Sequence, residues 1–323
     1  MTRRRAILAA AAFGGCLLVP LVAPQDYQLN VLFRVFLFAA LGLAWNLVGG
    51  YAGQLSLGHA AFFGIGAYGL ALFHAGLGVP AWAALGLGVV AAVAAALLIG
   101  RVAFRLRGPY FALATIAFAE LLRLTAKNLH GVTGGDVGAQ VPALFTSHPS
   151  RWFYWSAVAL TGLAFAATAL TARSRFGYQL LAIREDEDTA AACGIHAART
   201  KLVALAISAA LTAAGGALYA SLFLYIVPDQ VLAIDISNEI AIVAMLGGAG
   251  TLTGPIVGAV LLETASELFK NAFHEAHLLI YGILIVVVVL FLPEGIVGTI
   301  ARWRRTTPQA PQVPQIPQVP QVP

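Results

Sequence analysis

Apolar runs of about twenty residues, each long enough to cross the hydrocarbon core of a bilayer as a helix, follow one another along most of this chain. They fall at 6–23, 30–48, 57–75, 80–100, 109–126, 152–171, 202–226, 237–250, 255–272 and 278–293. Ten spans are therefore expected, the eighth and ninth being short enough to form a broken or tilted pair. Strands are excluded as the spanning element, because the runs lack strict alternation and exceed the length of barrel strands. Composition agrees: 60% of the 323 residues are hydrophobic and only 10% are Asp, Glu, Lys or Arg, against about 25% in a soluble domain. The fold class read from this is an all-α integral membrane protein.

Basic residues set the expected direction. With the N-terminus inside, fourteen Lys and Arg fall on the inner side, among them Arg3 to Arg5, Arg101, Arg173, Arg184 and Lys201, and three on the outer, Lys127, Arg151 and Lys270. That asymmetry predicts both termini in the cytoplasm. The net charge of +5 is read the same way, as loop Arg and Lys facing membrane lipid, and no nucleic-acid partner is expected. The basic start before an apolar stretch is like a signal peptide, but the run is long and Pro20 and Pro24 stand where small residues would mark cleavage, so a retained first helix is expected. The transmembrane domain is placed at 1–305. The tail at 306–323, with Pro every third residue from Pro308, is read as an extended or disordered appendage.

Enzymatic motifs are missing from the sequence. No G-x-x-x-x-G-K-[ST] loop is present, and none of the three lysines follows a glycine; G-x-S-x-G and H-E-x-x-H are absent too. The two cysteines, Cys16 and Cys193, suggest neither a disulfide nor a metal site, and no cofactor is expected. Any ATP-driven work would need the nucleotide site of another chain.

Two stretches depart from the apolar pattern. The first is 50-GYAGQLSLGHAAFFGIGAY-68, with five glycines beside Gln54, Ser56 and His59. Irregular backbone at membrane depth survives only when buried in protein or lining a cavity, so these polar groups either satisfy freed backbone or line a path. Gly53, Gln54, Ser56, Gly58, His59 and Gly64 are the candidates for a translocation path or its packing. A related turn, Gly250-Thr251-Leu252-Thr253, follows the eighth span as Gly53-Gln54-Leu55-Ser56 follows the second, a weak internal repeat of the kind that points to transport pathways.

The second stretch is the long polar loop 173–201. Its acids Glu185, Asp186, Glu187 and Asp188 are expected together at the start of an Ala-rich turn, where a helix dipole favours them, and Gly194 is expected as a left-handed C-cap. Either an ordinary solvated loop helix or a docking element for a cytoplasmic partner fits. Within the spans, Arg34 is read as snorkelling to the interface and Glu120 with Arg123 as an i,i+3 pair. Glu263, Glu267 and Lys270 are read as similar pairings along one helix. The shortage of intramembrane charge weighs against the alternative of an ion-coupled secondary carrier.

The stretch 50–68 resembles a signature of the permease subunits of branched-chain amino-acid ABC importers. The segments 107-RGPYFALATIAFAELLRLTAKNLHGVTGGDVG-138, 177-GYQLLAIREDEDTAAACGIHAARTKLVALAISAALTAAGGALYA-220 and 246-LGGAGTLTGPIVGAVLLE-263 resemble the same family in the same order. RGPYFAL and TGGDVG are similar to the M-type permease rather than its H-type partner. The resemblance implies an ABC-importer permease fold in a bacterial inner membrane. It also implies a second permease subunit, two cytoplasmic ATPase subunits and an extracytoplasmic solute-binding protein. Urea and short-amide permeases share much of the signature and are the alternative within the family. It further implies that the 173–201 loop holds the coupling helix, whose motif reads E-A-A-x-x-x-G. Counting back from Gly194 puts Asp188, Thr189 and Ala190 on the first three places, with Glu187 the alternative match for the acid.

Overall fold

The structure, a computed structural model, describes residues 25–106, 108–272, 282, 286 and 295–304. The expected span at 6–23, nearly all of that at 278–293, and the 306–323 tail lie outside the described residues. Among the described residues, seven helices are long and apolar enough to cross a membrane.

The chain runs α1 (Asp26–Asn46), a wide turn of π-helix (Leu47–Tyr51), α2 (His59–Leu77), α3 (Ala81–Ala103), α4 (Pro109–Asn128) and the single turn α5 (His130–Thr133). It continues through α6 (Pro149–Arg173), α7 (Arg175–Glu185), α8 (Glu187–Ala192) and α9 (Ala197–Phe223). The last described part is α10 (Pro228–Val231), α11 (Ile234–Gly247), α12 (Gly254–Ala272) and α13 (Gly295–Arg304). Two short strands, β1 (Ala139–Gln140) and β2 (Tyr225–Ile226), pair antiparallel, Ala139 opposite Ile226, and clip the α5–α6 loop to the end of α9. The eight expected spans that fall among the described residues recur as helices with ends moved by a few residues. The ninth of the ten, Gly254–Ala272, is not one of the seven long and apolar enough to cross. The eighth and ninth are two separate helices joined by the turn 248–253.

Helix α1 is the axis of the bundle. Every residue from Leu37 to Asn46 is buried, as expected of a helix that is apolar all round and enclosed by neighbours. It packs against α6, α9, α11 and α12. Helices α3 and α4 form the opposite case, a flank whose large apolar side chains such as Trp82, Val90, Leu98, Tyr110 and Leu113 are exposed. What α3 does bury is a row of small residues at every fourth position, Ala84, Gly88, Ala92, Ala96 and Gly100. Small residues let helix backbones approach closely where lipid offers no hydrophobic drive to associate.

Helices α2 and α9 approach one another closely. A Cβ at Gly66 would stand 2.0 Å from the Ala213 carbonyl oxygen, and one at Gly216 would stand 2.0 Å from that of Phe63. The two glycines therefore set the spacing from both sides.

Charged residues are knit across helices more than along them. Arg123 Nε does donate to Glu120 Oε2 at 2.9 Å, as the i,i+3 spacing predicts, but Arg123 also bonds Asp229 on α10. Lys127 Nζ joins Asp229 at 2.8 Å and Asp136 at 3.1 Å. Arg34 does not snorkel alone: its Nη2 lies 3.4 Å from Glu263 Oε2 on α12. Glu263, read with neighbours on its own helix, has its ion pair across to α1, which packs against α12.

Gly66→Ala and Gly216→Ala should each destabilise the protein by about 1–3 kcal/mol, the usual cost of overpacking. Gly76→Ala, whose new methyl meets nothing within 4 Å, should be neutral or gain up to about 1 kcal/mol from helix propensity. Thermal unfolding of the three purified variants in one detergent ranks them; equal midpoints for all three would contradict the close α2–α9 contact.

Candidate functional site

After Asn46 the helical ladder widens into the π turn, and residues 52–58 run as irregular chain before α2 begins. That beginning is deep in the bundle: His59 Nε2 is 2.8 Å from Ser208 Oγ, eleven residues into α9 and about 16 Å along its rise. Backbone freed at such depth needs protein partners, and three elements supply them. Leu57 N–H donates to Thr115 Oγ1 of α4 at 3.1 Å, and Ala60 N–H donates to Ser237 Oγ of α11 at 2.8 Å. Trp45 Nε1–H donates to the Ser56 carbonyl at 2.7 Å. Ser56 Oγ pairs with His59 Nδ1 at 3.1 Å, so the imidazole is held between two hydroxyls on opposite sides.

Ser56 and His59 are fully buried. Gly58 and Gly64 are contact points: a Cβ would lie 2.7 Å from the Thr115 carbonyl oxygen at the first and 2.1 Å from Leu232 Cδ2 at the second. Gln54 is half-buried, and its amide reaches the Ala52 carbonyl at 3.4 Å. Gly64 also borders a small apolar cavity with Tyr68, Leu122, Ala126, Thr133 and Leu232.

The related turns Gly53–Ser56 and Gly250–Thr253 lie on either side of Arg184. Asn46 Oδ1 accepts from Gly250 N–H at 2.7 Å, and Asn46 Nδ2 donates to the Thr251 carbonyl at 2.8 Å, so one side chain holds both polar groups of the second turn. Thr251 Oγ1 in turn accepts from Gly254 N–H at 3.0 Å and starts α12. Between the turns lies Arg184 of α7, donating from Nη1 to the Gly50 carbonyl at 2.8 Å. Both glycines take positive φ, +68° at Gly53 and +80° at Gly250. A Cβ would strike Arg184 at either, at 2.8 Å from Cγ and 2.6 Å from Nη1 respectively. The arginine therefore joins the 173–201 loop to the 50–58 segment and to the α11–α12 turn.

Within that loop the four acids do not share one turn. Glu185 ends α7, and Asp186 is the extended N-cap of α8, accepting from Thr189 N–H at 2.6 Å. Asp186 cannot continue α7 because its φ of −159° and ψ of +119° are those of a strand. Glu187 turns inward: both its oxygens accept from Lys201 Nζ at 2.9 Å. Lys201 is 1% exposed and stands 5.3 Å from the Phe104 ring, which stacks on Phe111. Asp188 remains in the exposed first turn of α8. Gly194, at φ +84°, closes the helix as expected, with Ile195 N–H donating to the Ala190 carbonyl and Gly194 N–H to that of Ala191, the paired bonds of a Schellman stop.

Sequence reasoning missed Asn46, Thr115, Arg184, Ser208 and Ser237 as members of this site, and counted Lys201 only as a loop charge. A polar residue inside an apolar run was the available signal for four of them. Asn46→Ala should cost about 2–4 kcal/mol, since it leaves the Gly250 N–H and Thr251 carbonyl without their partner and each such group costs about 1–3 kcal/mol. Gln54→Ala should change stability by less than about 1 kcal/mol. Chemical or thermal unfolding of both variants tests the order, which reversal would refute.

Comparison with known proteins adds the family. The family described as branched-chain amino acid transport system / permease component matches residues 27–289. The high-affinity branched-chain amino acid transport system permease protein LivM of Salmonella typhimurium is 31% identical over 83% of this chain and 69% of its own length. LivM of Escherichia coli K12 is 32% identical over 80% and 67%. LivH of Salmonella typhimurium is 25% identical, over 81% of this chain and 91% of its own length. No solved structure matches the chain. With the match extending through nearly all the described helices, this multi-pass membrane protein belongs to the family of permease components of branched-chain amino acid transport systems.

Proposed function

We propose that this chain is the M-type permease of an importer for branched-chain or related amino acids and forms the translocation path with a second permease. The higher identity to LivM than to LivH supports the M-type assignment. In this reading ATP is hydrolysed by two cytoplasmic partner subunits, and an extracytoplasmic binding protein delivers the solute. The 173–201 loop faces the ATPases, with α8 as the coupling helix.

The observation that carries the reading is the position of Arg184. The two-helix unit α7–α8 is held by its guanidinium against the Gly50 carbonyl and by Glu187 against Lys201 on α9. A push on α8 is thereby passed to α9 and to the turns that begin α2 and α12, and Gly53, Gln54, Ser56, Gly58, His59 and Gly64 lie in the first of those turns and in α2. Packed cores and helix interfaces transmit such displacement as rigid units. Asp188 is exposed on the first turn of α8, while Asp186 and Glu187 shape the helix that carries it.

The test is the chain reconstituted in proteoliposomes with its partner permease, ATPases and binding protein. Uptake of labelled leucine, isoleucine or valine and ATP hydrolysis are measured together. Gly194→Val places a β-branched residue at positive φ, a strain of about 1–3 kcal/mol, and should abolish solute-stimulated hydrolysis while leaving assembly intact. Arg184→Gln should do the same without altering α8 itself. Asp186→Ala should be milder, at the cost of about 1 kcal/mol of an N-cap, and Asp188→Ala milder still, a single exposed contact being worth about 0.2–1 kcal/mol. Undiminished stimulation in both Gly194→Val and Arg184→Gln, with each confirmed in the complex, would remove the loop from the coupling path. Absence of uptake for all three amino acids in wild type would refute the solute class.

A further inference from the structure

Further along α2 than the polar segment, a cavity of about 150 Å³ opens between α2, α4 and the single turns α5 and α10. Its walls include Gly64 and Tyr68 of α2, Leu122 and Ala126 of α4, Thr133 of α5, and Leu232 just after α10. An apolar cavity of about this size inside a protein stays dry and can hold benzene. A water molecule needs two to four polar partners, and these walls have few to give. Thr133 Oγ1 donates to the Ala126 and Leu129 carbonyls, and Thr125 Oγ1, also in the lining, donates to that of Leu121 at 2.7 Å. Both threonine protons are therefore spent on backbone.

Tyr68 is different. It is 5% exposed, and its hydroxyl is buried without a hydrogen-bond partner among the described residues. A buried tyrosine hydroxyl normally finds a partner, and a donor left unpaired costs the fold free energy. The lining thus combines apolar walls with one donor that no described residue uses.

Charges of both signs stand beside these walls in the chain. Arg123 and Lys127 directly follow Leu122 and Ala126 on α4, and Asp229 is three residues before Leu232. Arg123 and Lys127 both bond Asp229, so α4 and α10 are tied by the charged neighbours of the lining residues. All three keep part of their side chains exposed. An apolar pocket with a few placed polar groups is the general form of a small-molecule site. The space suits the four-carbon branched chain of leucine or isoleucine, and a phospholipid acyl chain is several times too long for it.

We propose that this cavity is a solute site on the translocation path, taking the branched aliphatic side chain of an amino acid. The Tyr68 hydroxyl donates to the carboxylate, and Arg123, Lys127 and Asp229 flank the charged head. The inference rests on the importer reading above for its solute class and adds the place where the solute is held. Gly64 keeps the wall thin: a Cβ there would stand 2.1 Å from Leu232 Cδ2, so α2 and the end of α10 can close on a small guest.

The test labels the assembled permease and ATPase subunits in lipid nanodiscs with photo-leucine, the diazirine analogue of leucine, and maps the adducts by mass spectrometry. Adducts should fall within 64–68 and 122–129, and excess leucine should displace them while lysine does not. Ala126→Leu, which fills the cavity, should lose them. Tyr68→Phe keeps the ring and removes only the unpartnered hydroxyl. Its thermal midpoint should hold, while about tenfold more leucine is needed for displacement; a merely structural tyrosine would leave that concentration unchanged. Should Ala126→Leu not assemble, Tyr68→Phe decides by itself. The site is overturned by adducts that fall only elsewhere, by adducts that leucine does not displace, or by unchanged displacement in Tyr68→Phe. Labelling of the same residues by a diazirine-bearing phospholipid chain instead would overturn it too. Leucine uptake by the complete importer is measured alongside. Uptake without cavity adducts sinks the site and leaves the importer reading standing, whereas displaceable adducts without uptake support the site and sink that reading.

Discussion

Hydrocarbon offers no hydrogen bonds, and this fold breaks its helices inside the bundle all the same. The break between α1 and α2 frees backbone groups far from water, and the surrounding architecture answers them. Thr115, Ser237, Ser208, Trp45, Asn46 and Arg184 come from five different helices, and each reaches the broken segment or the turn beside it. Because α4, α7, α9, α11 and α12 must all converge there, the break fixes their positions more tightly than apolar contact alone would. A polar lattice with every member satisfied is stiff and specific; half-satisfied, it would be worse than an apolar core.

The interior and the flank differ accordingly. Around α1 the packing is enclosed and hydrogen-bonded crosswise, while α3 attaches through small residues on one face and both α3 and α4 leave large apolar side chains exposed. Lys201 connects the two regions, its ammonium bound by Glu187 and lying near the ring of Phe104 at the end of α3. A buried pair of this kind is costly to desolvate and costly to break. That makes it suited to holding α8 in one orientation rather than to adding stability.

Much of this was legible in the sequence because the bilayer imposes length. Apolar runs gave helices close to their observed ends, and Gly194 gave a true helix stop. The family followed from ordered motifs. What the sequence hid was partnership across distance. Arg34 and Glu263 are separated by more than two hundred residues, so local spacing offered Glu263 only its helical neighbours. The four acids at 185–188 read as one cluster because nothing local shows that Asp186 leaves helical geometry, or that Glu187 points at a lysine fourteen residues on. The weak likeness of the turns at 53–56 and 250–253 was visible; that one arginine lies between them was not.

The π turn at Leu47–Tyr51 has a consequence for how the chain tolerates length change. A wide turn holds one residue more than an α turn while keeping the same axis, so everything after it is rotated by about 100° relative to an unbroken helix. Deleting one residue there would restore a regular ladder and improve local geometry. It would also swing the Gly50 carbonyl away from Arg184 and turn the path of residues 52–58 toward another neighbour. Substitutions that leave the residue count alone can be absorbed locally, but a single-residue deletion in this short segment would be read out as a rotation of the whole following element.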